Sequence, residues 1–479
     1  MVATMKRLFK TTILIAMALL TTLVTVQKPV TAKASQTAGS AFGDFDELIP
    51  AQTEARAAKK DGWIGSGNRR QYLNKGVPLT GWQTIDGLRY YFNPKNSNYM
   101  ALGWQTISTK GVKKHFYFGK KVSSKTYGSL YVGWQRINKK FYYFNTSGAH
   151  GVRGSLVHDG WEKIGKDTYY LESKGKVGDT LGSARLGWSK IDKEWFYFEK
   201  TGGLGKRGTL STGWKTINKN NYYFTKGGVL GVRGRLYRNG LMKVGRHTYY
   251  FESTGKAGGK LGRVFTGWRK QNGNLYNFRA DGSPGVKGRM WTGTYKKDGA
   301  TFNFTNKGVL TSTRMNVPVE YQWNYRGVSF GNTTISANGC AVVSTNMALR
   351  YLTKKNIPMT TMRDIANPYF DSKNARENGK VYNGFFNVAA KRYGQKSKIT
   401  TDGSEALEAL KKGNPVLVFQ RNRPFTGQGH WMVLWAATQD NKVRMNDPND
   451  SKSKRHNYTN FDFYSQIDRG AVRYVIFSR

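Results

Sequence analysis

The sequence predicts a multidomain chain: an all-β array of hairpin repeats, solenoid-like, over residues 61–312, then an α+β domain over 316–479. Three observations lead there. Gly-Trp pairs recur at Trp63, Trp82, Trp104, Trp134, Trp161, Trp188, Trp214 and Trp268, and from Trp134 onward the steps settle at 26–27 residues. The recurrence stops near 311–316, where segments of helical period begin. Aromatic residues make up 14% of the chain, too many for a disordered basic tail.

The first residues read as a secretory signal peptide over 1–34. Lys6, Arg7 and Lys10 form a positive start, 11–26 is apolar, and Ala32-Lys33-Ala34 supplies the small residues of a cleavage site. An uncleaved anchor is the other reading, but the apolar core falls short of the roughly 20 residues a span needs. Residues 35–60, rich in Ala and small polar residues, read as a spacer. The expected product is secreted and wall-associated, with no stable membrane insertion after cleavage. Cys340 is the only cysteine, which excludes an internal disulfide, a CxxC redox pair and a thiolate zinc cluster.

Export changes the meaning of the charge. The chain carries +48 in total, of which +31 falls in 35–314 and +12 in 315–479. Inside a cell such a balance would suggest nucleic acid. Outside, the polyanions on offer are teichoic acids, anionic lipids and acidic glycans, all attracted by the same long-range field. The expected partner is a wall polymer, and nucleic acid is not expected.

Each repeat has one local logic. Trp and Ile in Gly-Trp-x-x-Ile are three apart, so a strand points them to opposite faces. A polar turn such as Ile137-Asn138-Lys139-Lys140 follows, and an aromatic strand such as Tyr142-Tyr143-Phe144 returns. One hairpin cannot bury a core, but stacked hairpins can. Leu241 takes one Trp slot and Thr294 the last. These units resemble the cell-wall-binding repeats of Gram-positive surface proteins, the choline-binding and glucan-binding type, over about residues 60–310. The resemblance implies ligand contacts at Trp82, Trp104, Trp134, Trp161, Trp188, Trp214 and Trp268. In the choline-binding relatives a second aromatic completes a cage for a cation. That place holds Arg89, His115, Phe141, Thr168, Trp195, Asn221 and Thr248 here, mostly not aromatic. The strong positive charge also disfavours a cationic ligand. The expectation is an anchor for anionic polymer, teichoic acid above all, or for neutral glucan. For any single aromatic the alternative is that it only packs hairpins together.

In the second part, Gly339-Cys340 opens an apolar-periodic segment over 341–354, a helix with its thiol at the first turn. Further helices are expected at 384–393 and 404–412, then strands at 415–420, 430–437, 442–446 and 471–477. A thiol at a helix N-terminus is favoured as thiolate. A nucleophile needs a base, and the base an orienting acceptor. His430 opens a strong strand, whereas His456 sits in the polar stretch 452–458 and reads as a loop residue. Asp447 ends the neighbouring strand, where its carboxylate can hold the imidazole.

The order Gln322, Gly339-Cys340, Gly429-His430 and Asn446-Asp447-Pro448 is similar to papain-like cysteine peptidases, and within them to the double-glycine leader peptidases of cysteine-peptidase family 39. By that resemblance Cys340 is the nucleophile, His430 the general base and acid, Asp447 the orienting residue, and Gln322 a donor to the oxyanion. The leader peptidases precede a membrane transporter; this sequence carries no such segment, so leader processing is not the expected task. The expected activity is hydrolysis of peptide bonds in a surface protein or a peptidoglycan peptide, with no metal or organic cofactor. A non-enzymatic adhesin with an inactive peptidase-like domain, and a transpeptidase or amidase on the same nucleophile, are the alternatives.

Overall fold

A computed structural model describes residues 61–147, 152–229, 232–370, 383–421, 425 and 429–479. The expected signal peptide and spacer lie outside the described residues.

The repeats are antiparallel hairpins of two five-residue strands, such as Gly133–Ile137 with Lys140–Phe144 and Gly187–Ile191 with Glu194–Phe198. Their turns use two residues of positive φ, as at Asn138 (48°) and Lys139 (66°), the backbone that a tight hairpin with twisted strands requires. Asn and Asp tolerate this conformation best, hence Asn-Lys or Asp-Lys at three of the tips, 138–139, 192–193 and 218–219. Within most hairpins the Trp faces a Tyr across the ladder, Trp161 opposite Tyr170 and Trp188 opposite Tyr197, whereas Trp268 faces Asn277.

Stacking follows from the same residues. The Trp of one hairpin packs on the aromatic strand of the next: Trp134 on Tyr169 at 4.6 Å, Trp161 on Phe196 at 4.9 Å, Trp188 on Tyr222 at 5.0 Å and Trp214 on Tyr249 at 4.8 Å. The last Phe of each triplet, including Phe144, Phe198, Phe224 and Phe251, is wholly buried. Backbone bonds reach further along the array. Leu236 N–H donates to the Trp195 carbonyl and Val264 N–H to the Asn221 carbonyl, both at 2.8–2.9 Å. Gly285 shows why connectors carry glycine: a Cβ there would lie 3.0 Å from the Trp214 indole nitrogen, at a φ of +86°.

The last hairpin, β1 (Gly293–Lys297) and β2 (Ala300–Phe304), is paired to β3 (Leu310–Met315). The helices that follow are α1 (Cys340–Thr353), α2 (Met359–Ala366), α3 (Asn383–Arg392) and α4 (Gly403–Lys411). The strands are β4 (Lys396–Thr400), β5 (Val416–Gln420), β6 (His430–Thr438), β7 (Lys442–Asn446), β8 (Phe461–Asp462) and β9 (Ala471–Ser478). All belong to one nine-stranded antiparallel sheet in the order β1-β2-β3-β6-β5-β9-β4, with β7 on β6 and β8 on β7. The sheet therefore runs from the last repeat hairpin into the second part without a break. Helix α1 is buried from Ala341 to Leu349 and lies on β6; the Ser344 hydroxyl donates to the Trp431 carbonyl at 3.1 Å.

Helices and strands occupy the expected stretches to within a residue or two, but the order is not helices first and strands afterwards. β4 intervenes between α3 and α4. It is an edge strand, Lys396-Ser397-Lys398-Ile399-Thr400, and its lysines mark an edge while hiding the apolar alternation. α2 is a further element that the hydrophobic pattern does not announce: its buried face is only Met359, Met362 and Ala366.

Candidate active site

Cys340 is the first residue of α1, half-buried, after a four-residue helix Ile335–Asn338 whose start is capped by Thr334. The joint between the two helices needs Gly339, since a Cβ there would lie 2.5 Å from the Ile335 carbonyl oxygen. His430 begins β6, opposite Gln420 of β5, and is 7% exposed. Residues 426–428, just before it, lie outside the described residues. Because β6 and β7 run antiparallel with Val433 opposite Asn446, the residue after β7 comes level with the start of β6. That residue is Asp447, fully buried.

The side chains form a chain of contacts. The Cys340 thiol and the His430 imidazole act on each other, each favouring the charged form of its partner. Nε2 of His430 lies 2.6 Å from Oδ1 of Asp447, which leaves Nδ1 as the nitrogen for sulfur. Asp447 is held from other sides too: its Oδ1 accepts from the Asn449 N–H at 2.8 Å, and its own N–H donates to Oδ1 of Asn457 at 2.6 Å.

His456 completes the chain. Its Nδ1 lies 2.6 Å from Oδ2 of Asp447, and it is buried in a short 3-10 turn, His456–Tyr458. Asp450 fixes that turn by accepting from the backbone N–H groups of His456 and Asn457 at 2.9 and 3.0 Å. The imidazole packs against Phe425 at 5.1 Å. His456 is thus part of the site, whereas its polar stretch alone points only to a loop. The available signal was Asp450 followed six residues later by His-Asn, a spacing that closes a compact loop on the carboxylate beside it.

Gln322 is buried in the 3-10 turn Gln322–Tyr325, with its backbone N–H on the Pro448 carbonyl at 2.9 Å, adjacent to Asp447. Its Nε2 donates to the Ser336 carbonyl at 2.9 Å, in the helix leading into Cys340, while Oε1 is buried without a partner. The amide nitrogen has two hydrogens, so one donor remains beyond the bond to Ser336.

These contacts set the protonation states. Burial pushes the Cys340 thiol up, but the hydrogen bond and charge of His430, with backbone N–H groups of Trp431 and Ala341, outweigh it and bring the thiol below its ordinary value. Burial disfavours a charged His430, yet Asp447 and the sulfur hold it up to about 10. Burial would likewise raise Asp447, but its two imidazoles hold the carboxylate well below the usual range. Both shifts run toward thiolate and imidazolium, the reactive form of a sulfur nucleophile.

In the array, the predicted tryptophans are half-buried members of the stacking ladder described above. Several aromatic faces already carry a cation from the chain itself. The Arg89 guanidinium lies 4.6 Å over Trp82, Arg70 lies 4.3 Å over Trp63, and Arg269 lies 3.6 Å over Tyr250.

Residues 314–472 match the Peptidase_C39 like family, and 80–95, 132–149, 159–177 and 212–230 match the choline-binding family of cell wall binding repeats. The chain joins cell-wall-binding repeats to a Peptidase_C39-like domain. It is thus a wall-associated, peptidase-like protein. No curated protein matches it. Among solved structures it is similar to CbpJ of Streptococcus pneumoniae, at 21% identity over 52% of this chain and 93% of that one, with a TM-score of 0.31. Choline binding protein F of the same organism gives 22%, 52%, 92% and 0.30, and its modular autolysin LytC 19%, 55%, 56% and 0.26. Among the described residues no helix is long and apolar enough to cross a membrane.

Proposed function

We propose that the chain is a secreted cysteine peptidase held at the cell wall by its repeats, hydrolysing peptide bonds of a surface protein or of peptidoglycan. The observation that carries this reading is the hydrogen-bonded line His430–Asp447–His456 at the Cys340 thiol, in which the thiol is depressed and the imidazole raised. The thiolate of Cys340 attacks the scissile carbonyl carbon. The oxyanion is stabilised by the Cys340 backbone N–H and the spare Nε2 hydrogen of Gln322. Imidazolium His430 gives its proton to the departing amine, leaving a thioester. It then takes a proton from water, whose oxygen attacks the thioester; collapse of the intermediate releases the acid and restores the thiolate–imidazolium pair. Asp447 keeps Nδ1 of His430 aimed at sulfur throughout.

The array is an anchor for an anionic wall polymer. Its charge supports this, and so do the guanidinium groups already seated over Trp63, Trp82 and Tyr250, where a quaternary amine would otherwise stack.

The test uses isolated walls of the producing cell. Wild-type protein should release new peptide termini detectable by mass spectrometry. Cys340→Ala should release none while binding the walls equally well. A thiol-directed electrophile should label Cys340 far faster than free cysteine at neutral pH. Peptide release by the Cys340→Ala protein would refute the mechanism; slow labelling together with no release would favour a non-enzymatic adhesin.

A further inference from the structure

The first strand-2 residue of successive hairpins occupies one structural position, held by Asp167, Glu194, Asn220 and His247 in turn. Where it is acidic, it meets a cation from the array. Asp167 pairs with Lys206 at 3.5 Å, and Glu194 with Arg235 and Arg238 at 3.6 and 3.3 Å. Arg235 directly precedes Leu236, whose N–H bonds the second residue of that strand, Trp195. Arg263 stands in the same place one repeat on, since Val264 N–H bonds Asn221. The cation is kept, but its carboxylate has become Asn220.

The result is a pocket of about 250 Å³ lined by Lys219, Arg263 and Lys287, with the amides of Asn220 and Asn221 and the hydroxyl of Thr266, and with no acidic residue. Among the described residues no carboxylate forms an ion pair with any of the three cations, and Arg263 and Lys287 are half-buried. The array thus holds cations where the two preceding repeats hold ion pairs, beside neutral hydrogen-bond donors.

We propose that this pocket seats a phosphate group of an anionic wall polymer, which takes the place of the missing carboxylate. This rests on the reading of the array as a polyanion anchor. Guanidinium and ammonium groups with amide donors match a phosphodiester's charge and its several acceptor oxygens.

The experiment measures binding of the full secreted chain to soluble poly(glycerol phosphate) across a salt series. Asn220→Glu installs the carboxylate that Glu194 already provides in the preceding repeat, so the fold tolerates it. It should weaken binding roughly tenfold, the effect of losing a charge-assisted contact, and flatten the salt dependence. Arg263→Gln should do the same. Glu194→Asn frees Arg235 and Arg238 and should strengthen binding. Thr84→Glu, the same charge change on a distant hairpin, should shift binding less than twofold. If Asn220→Glu and Arg263→Gln bind no worse than Thr84→Glu while salt sensitivity persists, the pocket is wrong and the polyanion anchor stands. If wild type ignores the polymer, or holds it regardless of salt, the anchor reading falls with it. Binding to phosphatidylglycerol vesicles in place of the polymer would overturn the polymer assignment.

Discussion

Asp447 accepts from two imidazoles at 2.6 Å, one on each oxygen, and this fixes what each histidine can do. His430 touches the thiol and exchanges protons. His456 bonds the carboxylate but not the thiol, and acts as a positioning residue. Cys340→Ala and His430→Ala should each cost roughly 10³-fold or more in kcat/KM. His456→Ala should cost about ten- to a hundredfold, as the loss of a hydrogen bond to a charged group does. His456→Asn, whose Nδ2 can stand where Nδ1 stood, should recover most of it; a merely structural role would not be rescued so selectively. The pH profile follows from the same pair. Activity should fall on the acid side as the thiolate is protonated, below the ordinary thiol range. On the alkaline side it should fall as His430 loses its proton near 10. His456→Ala should draw that alkaline limb downward, because a loosened Asp447 supports the imidazolium less. Cys340, His430 and Asp447 were legible because a helix start, a strand start and a strand end are positions that sequence marks. His456 was not, because a 3-10 turn in a polar stretch has no periodicity to reveal that it folds back under the carboxylate.

At the scale of elements, the Gly-Trp unit was legible because its period repeats and because its turn demands positive φ. The division of labour among its aromatics was not. Trp161 touches Tyr170 of its own hairpin at 5.3 Å, and Phe196 and Phe198 of the next at 4.9 and 5.8 Å. It is therefore a joint between units before it is a ligand contact. Trp161→Ala should destabilise that joint by about 3 kcal/mol, the low end for a large aromatic because the ring is only half-buried. Hydrogen exchange should quicken across 160–171 and 187–198 and stay slow at 267–278, since stacked repeats couple mainly to their neighbours. Uniform quickening across the array would mean that it unfolds as one unit. The edge strand β4 and the short helix α2 escaped the sequence because each buries too few apolar side chains to impose a period.

Across the whole molecule, the hairpin Gly293–Phe304 carries the repeat stack into the core of the second part. On one side Trp268 packs on its Phe302 and Phe304 at 5.3 and 6.0 Å. On the other, Phe302, Phe304, Leu310 and Met315 are buried in the same cluster as α1 and β6, and the Thr313 hydroxyl donates to the Lys411 carbonyl at 2.6 Å. β3 also pairs with β6 through Thr313 and Ala437. The change of pattern near 311–316 is visible in sequence; that the strand spanning it is shared is not, because strand pairing between distant segments leaves no local mark. A fragment of 316–479 loses those four buried side chains, each contributing roughly 1.5–3 kcal/mol, against a total stability of about 5–15 kcal/mol for a domain. It also bares the end of β6 that β3 covers. A fragment of 293–479 keeps all of this. The longer fragment should melt cooperatively and keep a reactive Cys340, while the shorter should show no cooperative transition and a thiol no faster than free cysteine. Matching melts for the two fragments would mean that the peptidase-like core closes without the last repeat, and that the hairpin belongs to the array alone.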